Sequence, residues 1–286
     1  MIHKLGLGTV QFGCSYGIAN KTGQVSKDEA FKILEFARRE GIKTLDTSAA
    51  YGTSEAVIGE FINQEKFDFD IVSKFTSQGQ DVEEIFKESL RRLRSKNLYG
   101  YLFHRFDDFR NNADLWKSLE RLKNEGLLRK AGFSLYLPEE LELLLKKKII
   151  PDILQVPYSV FDRRFEPYFP TLKEMNVELH ARSIFLQGLV YLDPDQLSEK
   201  LFKARKPLED LRKISQGHQI PLSALCLNYA VSNPYLDKVI VGVDSLEHLK
   251  EHVKNLEFLN KILSLKERLN CLTIQDEDIL LPYKWS

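Results

Sequence analysis

Four side chains in the first half of the chain are of types that do chemistry together: Asp46, Tyr51, Lys74 and His104. A tyrosine hydroxyl, with an ordinary pKa of about 10, is a weak acid at neutral pH. A neighbouring ammonium favours the phenolate and lowers that pKa, so Lys74 is expected to make Tyr51 a better proton donor. A carboxylate such as Asp46 can hold the ammonium, and an imidazole such as His104 can hydrogen-bond a carbonyl oxygen. Together they make a proton donor aimed at a carbonyl, the half of carbonyl reduction that a hydride-donating cofactor does not supply.

Such a set works only if one face collects it. Asp46 ends the run IKTL, Lys74 ends DIVS and His104 ends YGYLF, while Tyr51 lies in the loop DTSAAYGTSE just after Asp46. Three successive strand-like runs therefore close on an ionisable side chain. In a parallel β/α barrel the C-terminal strand ends all open on one face, where catalytic residues gather.

The remaining chain repeats the same alternation. KLGLGTV precedes SKDEAFKILEFARREG, a helical pattern capped by Ser26; LRKAGFS precedes PEELELLLKKK, where Pro138 suits a first helical turn. Strand runs DILQVPYS, VELHARS and DKVIVG follow, each with a helical partner. Eight such units predict a (β/α)8 TIM barrel, a single domain over residues 1–286 with extra helices near its C-terminus. The chain's 286 residues suit a fold of about 250 residues. PLSALCLNYAVSNP and EFLNKILSLKERLNCL read as extra helices and DEDILLPYKWS as a tail. The charged stretch 187–207 reads as a long connection after the seventh strand, of the kind that forms lids.

Composition excludes several functions. Lys+Arg and Asp+Glu both number 41, a balance that argues against nucleic acid or an anionic membrane as partner. No run approaches the roughly 20 apolar residues of a membrane span. Cys14, Cys226 and Cys271 form no CxxC pair and read as reduced thiols, so the cytoplasm is the expected compartment. No metal-binding or triphosphate-binding motif occurs. GLGTVQFG lacks the third glycine of a dinucleotide fingerprint, because Gln11 stands there.

The segments LDTSAAYGTSE, VSKF and YLFHRFD resemble, in order, the active-site motifs of the aldo-keto reductase superfamily. AGFS, ILQVPYS, ARSIFLQG and VIVGVDSLEHL resemble its cofactor-binding stretches. The resemblance implies a barrel that binds a nicotinamide cofactor in extended form and reduces an aldehyde or ketone. It makes Tyr51 the proton donor, has Asp46 and Lys74 tune it, and has His104 orient the carbonyl. It places Gly8, Thr9 and Asp46 beside the nicotinamide half, and Ser134 and Gln155 at the carboxamide. Ser183, Phe185, Gln187 and Gly188 would follow the pyrophosphate. Gly242, Val243, Asp244 and Ser245, with His248 and Glu251, would surround the adenosine. Leu135 stands where the family usually has asparagine. NADPH is the cofactor the resemblance implies. NADH is a rival, because Asp244 and His248 stand where basic residues commonly hold the 2′-phosphate. The start GLGTVQFGCSYGIAN resembles reductases of bacterial sugar metabolism, so a sugar-like carbonyl is expected, with Tyr16, Phe106, Phe109 and Tyr158 as candidate stacking rings. Two alternatives stand beside this reading: an aldolase-type enzyme forming a Schiff base on Lys74, and a non-catalytic nicotinamide-binding sensor subunit.

Overall fold

The structure, a computed structural model, describes residues 1–285. Its strands are β1 (Leu5–Gly8), β2 (Thr44–Asp46), β3 (Asp70–Phe75), β4 (Leu98–Phe103), β5 (Leu128–Ser134), β6 (Ile153–Pro157), β7 (Glu178–Arg182) and β8 (Lys238–Gly242). Each pairs in parallel with its neighbours, and β8 pairs with β1, so the barrel is closed. The helices α1 (Lys27–Arg39), α2 (Ser54–Glu65), α3 (Val82–Leu93), α4 (Phe106–Asn111), α5 (Leu115–Asn124), α6 (Pro138–Lys146), α7 (Phe169–Glu174), α8 (Arg205–His218), α9 (Leu222–Val231) and α10 (Leu246–Asn255) connect the strands or surround them. Ser26 caps α1 by accepting from the Glu29 N–H, and Pro138 opens α6.

Strand residues alternate between two environments. On one face Leu45, Phe75, Tyr101, Phe103 and Phe133 belong to the large core shared with the helices. On the other face Val72, Leu102 and Ile153 form a small separate cluster inside the barrel. The interior is narrow: a Cβ on Gly100 would come within 2.8 Å of Ile153, and one on Gly6 within 2.5 Å of Ile240. Two residues beyond Val72 on that face is Lys74, and two beyond Leu102 is His104. Apolar side chains thus fill the barrel, and polar ones occupy the next inward position at its mouth.

The Tyr51 loop is held by backbone-to-backbone packing that only glycine permits. A Cβ on Gly13 would lie 1.8 Å from the Tyr51 carbonyl oxygen, and one on Gly52 would lie 2.3 Å from the Gly13 carbonyl oxygen. Gly52 also has φ +52°, in the left-handed region that favours glycine.

The C-terminal segments depart from expectation. EFLNKILSLKERLNCL is divided into a short 3-10 turn and the helices α11 (Leu259–Leu263) and α12 (Lys266–Asn270). The expected tail is packed: α13 (Glu277–Leu280) buries Ile279 and Leu280, and Leu281 just after it is buried too. Phe106, Phe109 and Tyr158 are also buried in the core, so three of the four rings considered for stacking on a ligand serve packing instead.

Gly13→Ala should force the β1 and Tyr51 loops apart and cost about 1–3 kcal/mol. Denaturant unfolding measures this, and an unchanged midpoint would mean that the loops yield without strain.

Candidate active site

Asp46, Lys74 and His104 arrive at one mouth of the barrel from the ends of β2, β3 and β4, and Tyr51 meets them from the following loop. Lys74 Nζ donates to Asp46 Oδ1 at 2.6 Å and to the Thr47 carbonyl at 3.1 Å. Gln155 Nε2, from β6, donates to Asp46 Oδ2 at 2.6 Å. The ammonium lies 5.3 Å from the centre of the Tyr51 ring, and the His104 ring meets the Tyr51 ring edge-on at 5.5 Å. Ser48 Oγ lies 3.0 Å from His104 Nδ1 and 3.1 Å from the Lys74 carbonyl.

The electrostatics differ from the expectation of a lowered tyrosine pKa. Burial, with the Asp46 carboxylate second, raises the Tyr51 hydroxyl above its ordinary value. Lys74 is lowered, chiefly because burial disfavours its charge, while Asp46 opposes the shift. Its ammonium is already matched to Asp46, so its pull on the phenol is largely cancelled. Tyr51 therefore keeps its proton throughout the neutral range. Burial, followed by the charges of Lys74 and Arg182, lowers His104 to about 3, which leaves it a neutral imidazole.

These groups sit at one end of a cleft of 710 Å³. Asp46, Tyr51 and His104 line it, with Gly8, Ser134, Gln155, Ser183, Phe185, Gln187, Gly188, Gly242, Asp244, His248 and Glu251. Four residues considered from the sequence stand behind the wall. Lys74 lies beneath Tyr51; Thr9 is buried and donates from Oγ1 to the Asp46 carbonyl; Val243 is buried; and Ser245 caps α10 by accepting from His248 N–H.

The connection after β7 is wound into short 3-10 turns, the first of which, Leu186–Tyr191, lines the cleft. It meets the β1 loop where the Ile18 N–H donates to the Gln187 carbonyl at 3.0 Å. Gly188 has φ +93°, and a Cβ there would come within 2.8 Å of Ala19.

Other wall residues went unread in the sequence. Arg182 and Tyr136 join Tyr16 near the catalytic end, and Pro282 and Tyr283 reach it from the C-terminal segment. Arg182 was within reach of the same logic as His104: it is the polar residue that ends β7, two positions beyond His180 on the inward face.

The cleft suits an extended dinucleotide. Ser134 and Gln155 offer neutral polar side chains at the catalytic end, and glycines 8, 188 and 242 bring backbone to the wall. At the far end Gln11 Oε1, Asp244 Oδ1 and His252 Nδ1 are buried without a partner among the described residues. Such atoms ask for the hydroxyls and amino groups a nucleoside carries.

A closed parallel barrel with these four groups gathered at its C-terminal mouth has the layout of a barrel enzyme. The sequence profile described as the Aldo/keto reductase family matches residues 4–266, and the chain belongs to that family. The chain is thus a nicotinamide-dependent oxidoreductase. It is 27% identical over 282 residues to the uncharacterized oxidoreductase YqkF of Bacillus subtilis (strain 168), covering 88% of this chain and 87% of that one. It is 26% identical over 306 residues to L-galactose dehydrogenase of Arabidopsis thaliana, covering 98% and 92%. The fold matches an aldo-keto reductase from Bacillus halodurans in its holo form with a TM-score of 0.74 at 23% identity, covering 96% and 93% of the two chains.

The histidines make a testable contribution to acid stability. His104 is lowered to about 3 and His252 to about 4, burial being the main cause for both. The unfolded chain binds these protons below its ordinary histidine pKa of about 6.5, and the folded chain does not. Stability should fall as pH drops from 7 towards 5 and level off above pH 7. Unfolding midpoints across that range test this, and His104→Gln should flatten the slope.

Proposed function

We propose that this reductase converts an aldehyde or ketone to an alcohol, with Tyr51 giving the proton to the carbonyl oxygen. The observation that carries the reading is a protonated, buried tyrosine beside a neutral histidine at one end of a dinucleotide-sized cleft. The bound nicotinamide supplies the hydride. Ser134 and Gln155 would hold its carboxamide, and the far end its adenosine.

His104 stabilises the developing negative charge as a donor through Nε2–H. That tautomer requires the Ser48 hydroxyl to turn its single proton from the Lys74 carbonyl, at 3.1 Å, to Nδ1, at 3.0 Å. Lys74 supports Tyr51 from beneath: as the phenol loses its proton, the buried ammonium becomes the counterion of the phenolate, while Asp46 and the Thr47 carbonyl keep it in place. Reprotonation from water through the open cleft restores Tyr51.

The Schiff-base alternative is disfavoured by the setting of Lys74. Its amine is 1% exposed, paired with Asp46 and covered by the Tyr51 ring, so a carbonyl carbon has no approach to it. The sensor alternative finds no missing group to favour it.

Cofactor choice is read from charge at the far end. Asp244 and Glu251 line it together with His248 and His252, and among the described residues no lysine or arginine lines that end. Asp244 is raised above the ordinary carboxylate pKa, first by burial. A 2′-phosphate beside this carboxylate is repelled, whereas a ribose 2′-hydroxyl can donate to it. The family expectation of NADPH thus gives way to NADH, or to use of both. The cytoplasm remains the proposed compartment. All three cysteines are free, and among the described residues no helix is long and apolar enough to cross a membrane.

Tyr51→Phe keeps the ring and removes the proton. Cofactor affinity should persist while turnover drops by about 100-fold or more, the usual weight of general acid catalysis. Wild-type reduction rates in this variant would remove Tyr51 as the acid.

Asp244→Arg should raise NADPH affinity relative to NADH by about tenfold or more, since it removes a repulsion and adds a bidentate donor. Fluorescence titration with both cofactors decides it. A ratio that does not move means the phosphate lies elsewhere.

A further inference from the structure

The catalytic end of the cleft holds one strong cation that the reduction does not use. Arg182, the last residue of β7, lines the wall there, and its guanidinium lies 4.0 Å from the centre of the Tyr136 ring. Nε donates to Ser134 Oγ at 3.3 Å, Nη1 to Ser183 Oγ at 3.1 Å and Nη2 to the Leu135 carbonyl at 2.8 Å. A guanidinium has five N–H donors, so two remain. All of these partners are neutral.

Among the described residues no carboxylate is bonded to this guanidinium. Asp46 is fully engaged by Lys74 and Gln155. Glu140 feels the Arg182 charge at a distance, but it accepts from the backbone N–H groups of Tyr136 and Leu137 at the start of α6 and is not bonded to Arg182. Asp244 and Glu251 stand at the far end, where Glu251 is bonded to Ser223 and Asn255. His104 is neutral. With Lys74 and Asp46 cancelling, the catalytic end carries a net positive charge, and that charge is Arg182.

A half-buried arginine with free N–H donors and no directly bonded carboxylate is poised to take one from a ligand. Its rigidity fits this use. Stacking on Tyr136 and the bonds to Ser134, Ser183 and Leu135 spend its rotamer freedom before a ligand arrives. Planarity and paired donors match a carboxylate.

Resting on the reductase reading above, we propose that Arg182, backed by Tyr136, binds a carboxylate on the carbonyl substrate, so that the preferred substrates are oxo acids rather than neutral aldehydes or ketones. Arg182 is a specificity residue here. The carbonyl reaches Tyr51 and His104 while the acid group at the other end of the molecule is held by the guanidinium.

The test compares para-carboxybenzaldehyde with its methyl ester in the wild type, Arg182→Met and Arg182→Lys, at saturating NADH. The wild type should favour the acid over the ester in kcat/KM by about tenfold or more, the low end for a charge-assisted hydrogen bond. In Arg182→Met that ratio should collapse, mainly through KM for the acid, and Arg182→Lys should restore part of it. Added salt should weaken the acid preference. Binding of benzoate to the cofactor-loaded enzyme, followed by calorimetry, needs no turnover. It should be detectable in the wild type and lost in Arg182→Met, even if these aldehydes prove to be poor substrates. Equal kcat/KM for acid and ester in the wild type, or benzoate that does not bind it, overturns the proposal and leaves the role of Tyr51 untouched. An Arg182→Met variant whose NADH dissociation constant rises while the acid-to-ester ratio holds also overturns it, and assigns Arg182 to the cofactor.

Discussion

A buried ion pair lies at the centre of this protein. Lys74 is 1% exposed, and an ammonium taken out of water at that depth is costly unless matched. Asp46 matches it from β2, and Gln155 reaches across from β6 to satisfy the second carboxylate oxygen. Three strands are thereby tied through polar groups at a level of the barrel where the apolar filling of Val72, Leu102 and Ile153 has ended. Breaking such a pair by removing one partner typically costs about 3–5 kcal/mol, because the other charge is left buried and alone. Tyr51 rests above the pair and His104 beside it, so the shape of the catalytic end follows from this one contact.

The pair also sets the protonation of its neighbours. A free ammonium would draw the phenol towards ionisation. An ammonium bonded to Asp46 does so only weakly, and burial pushes the other way. The result is a tyrosine that holds its proton in the resting state and a histidine that stays neutral, both shaped more by desolvation than by partner charges.

Much of this was legible in the residues. Strand-ending Asp46, Lys74 and His104 could be placed on one face because parallel strands in a closed barrel all point the same way. Asp46, which pairs in register with Gly8 on one side and Val72 on the other, belongs to an inward row that a two-residue period reveals. The same period marks Arg182, because this strand alternates strictly, with Glu178, His180 and Arg182 on one face and Leu179 and Ala181 on the other. Loop aromatics were less legible: position after a strand does not say which way a ring turns, and Phe106 and Phe109 turn into a cluster with Phe103 and Phe133. The acidic residues of DEDILLPYKWS masked the apolar ILL that folds the end of the chain back on the barrel.

Strand β8 pairs with β1, which sets Gly8 beside Gly242 at the cleft wall, and Tyr283 comes to the same cleft from the end of the chain. Strands β2 to β4 leave the ribosome early, but the groove proposed for the dinucleotide has only one of its two edges until β8 has been made and has closed the ring. A partly synthesised chain can therefore carry all four reactive groups without being able to hold a cofactor. On that proposed placement, nicotinamide binding would report that the circle of strands is complete, and by mass action the cofactor would hold that seam shut.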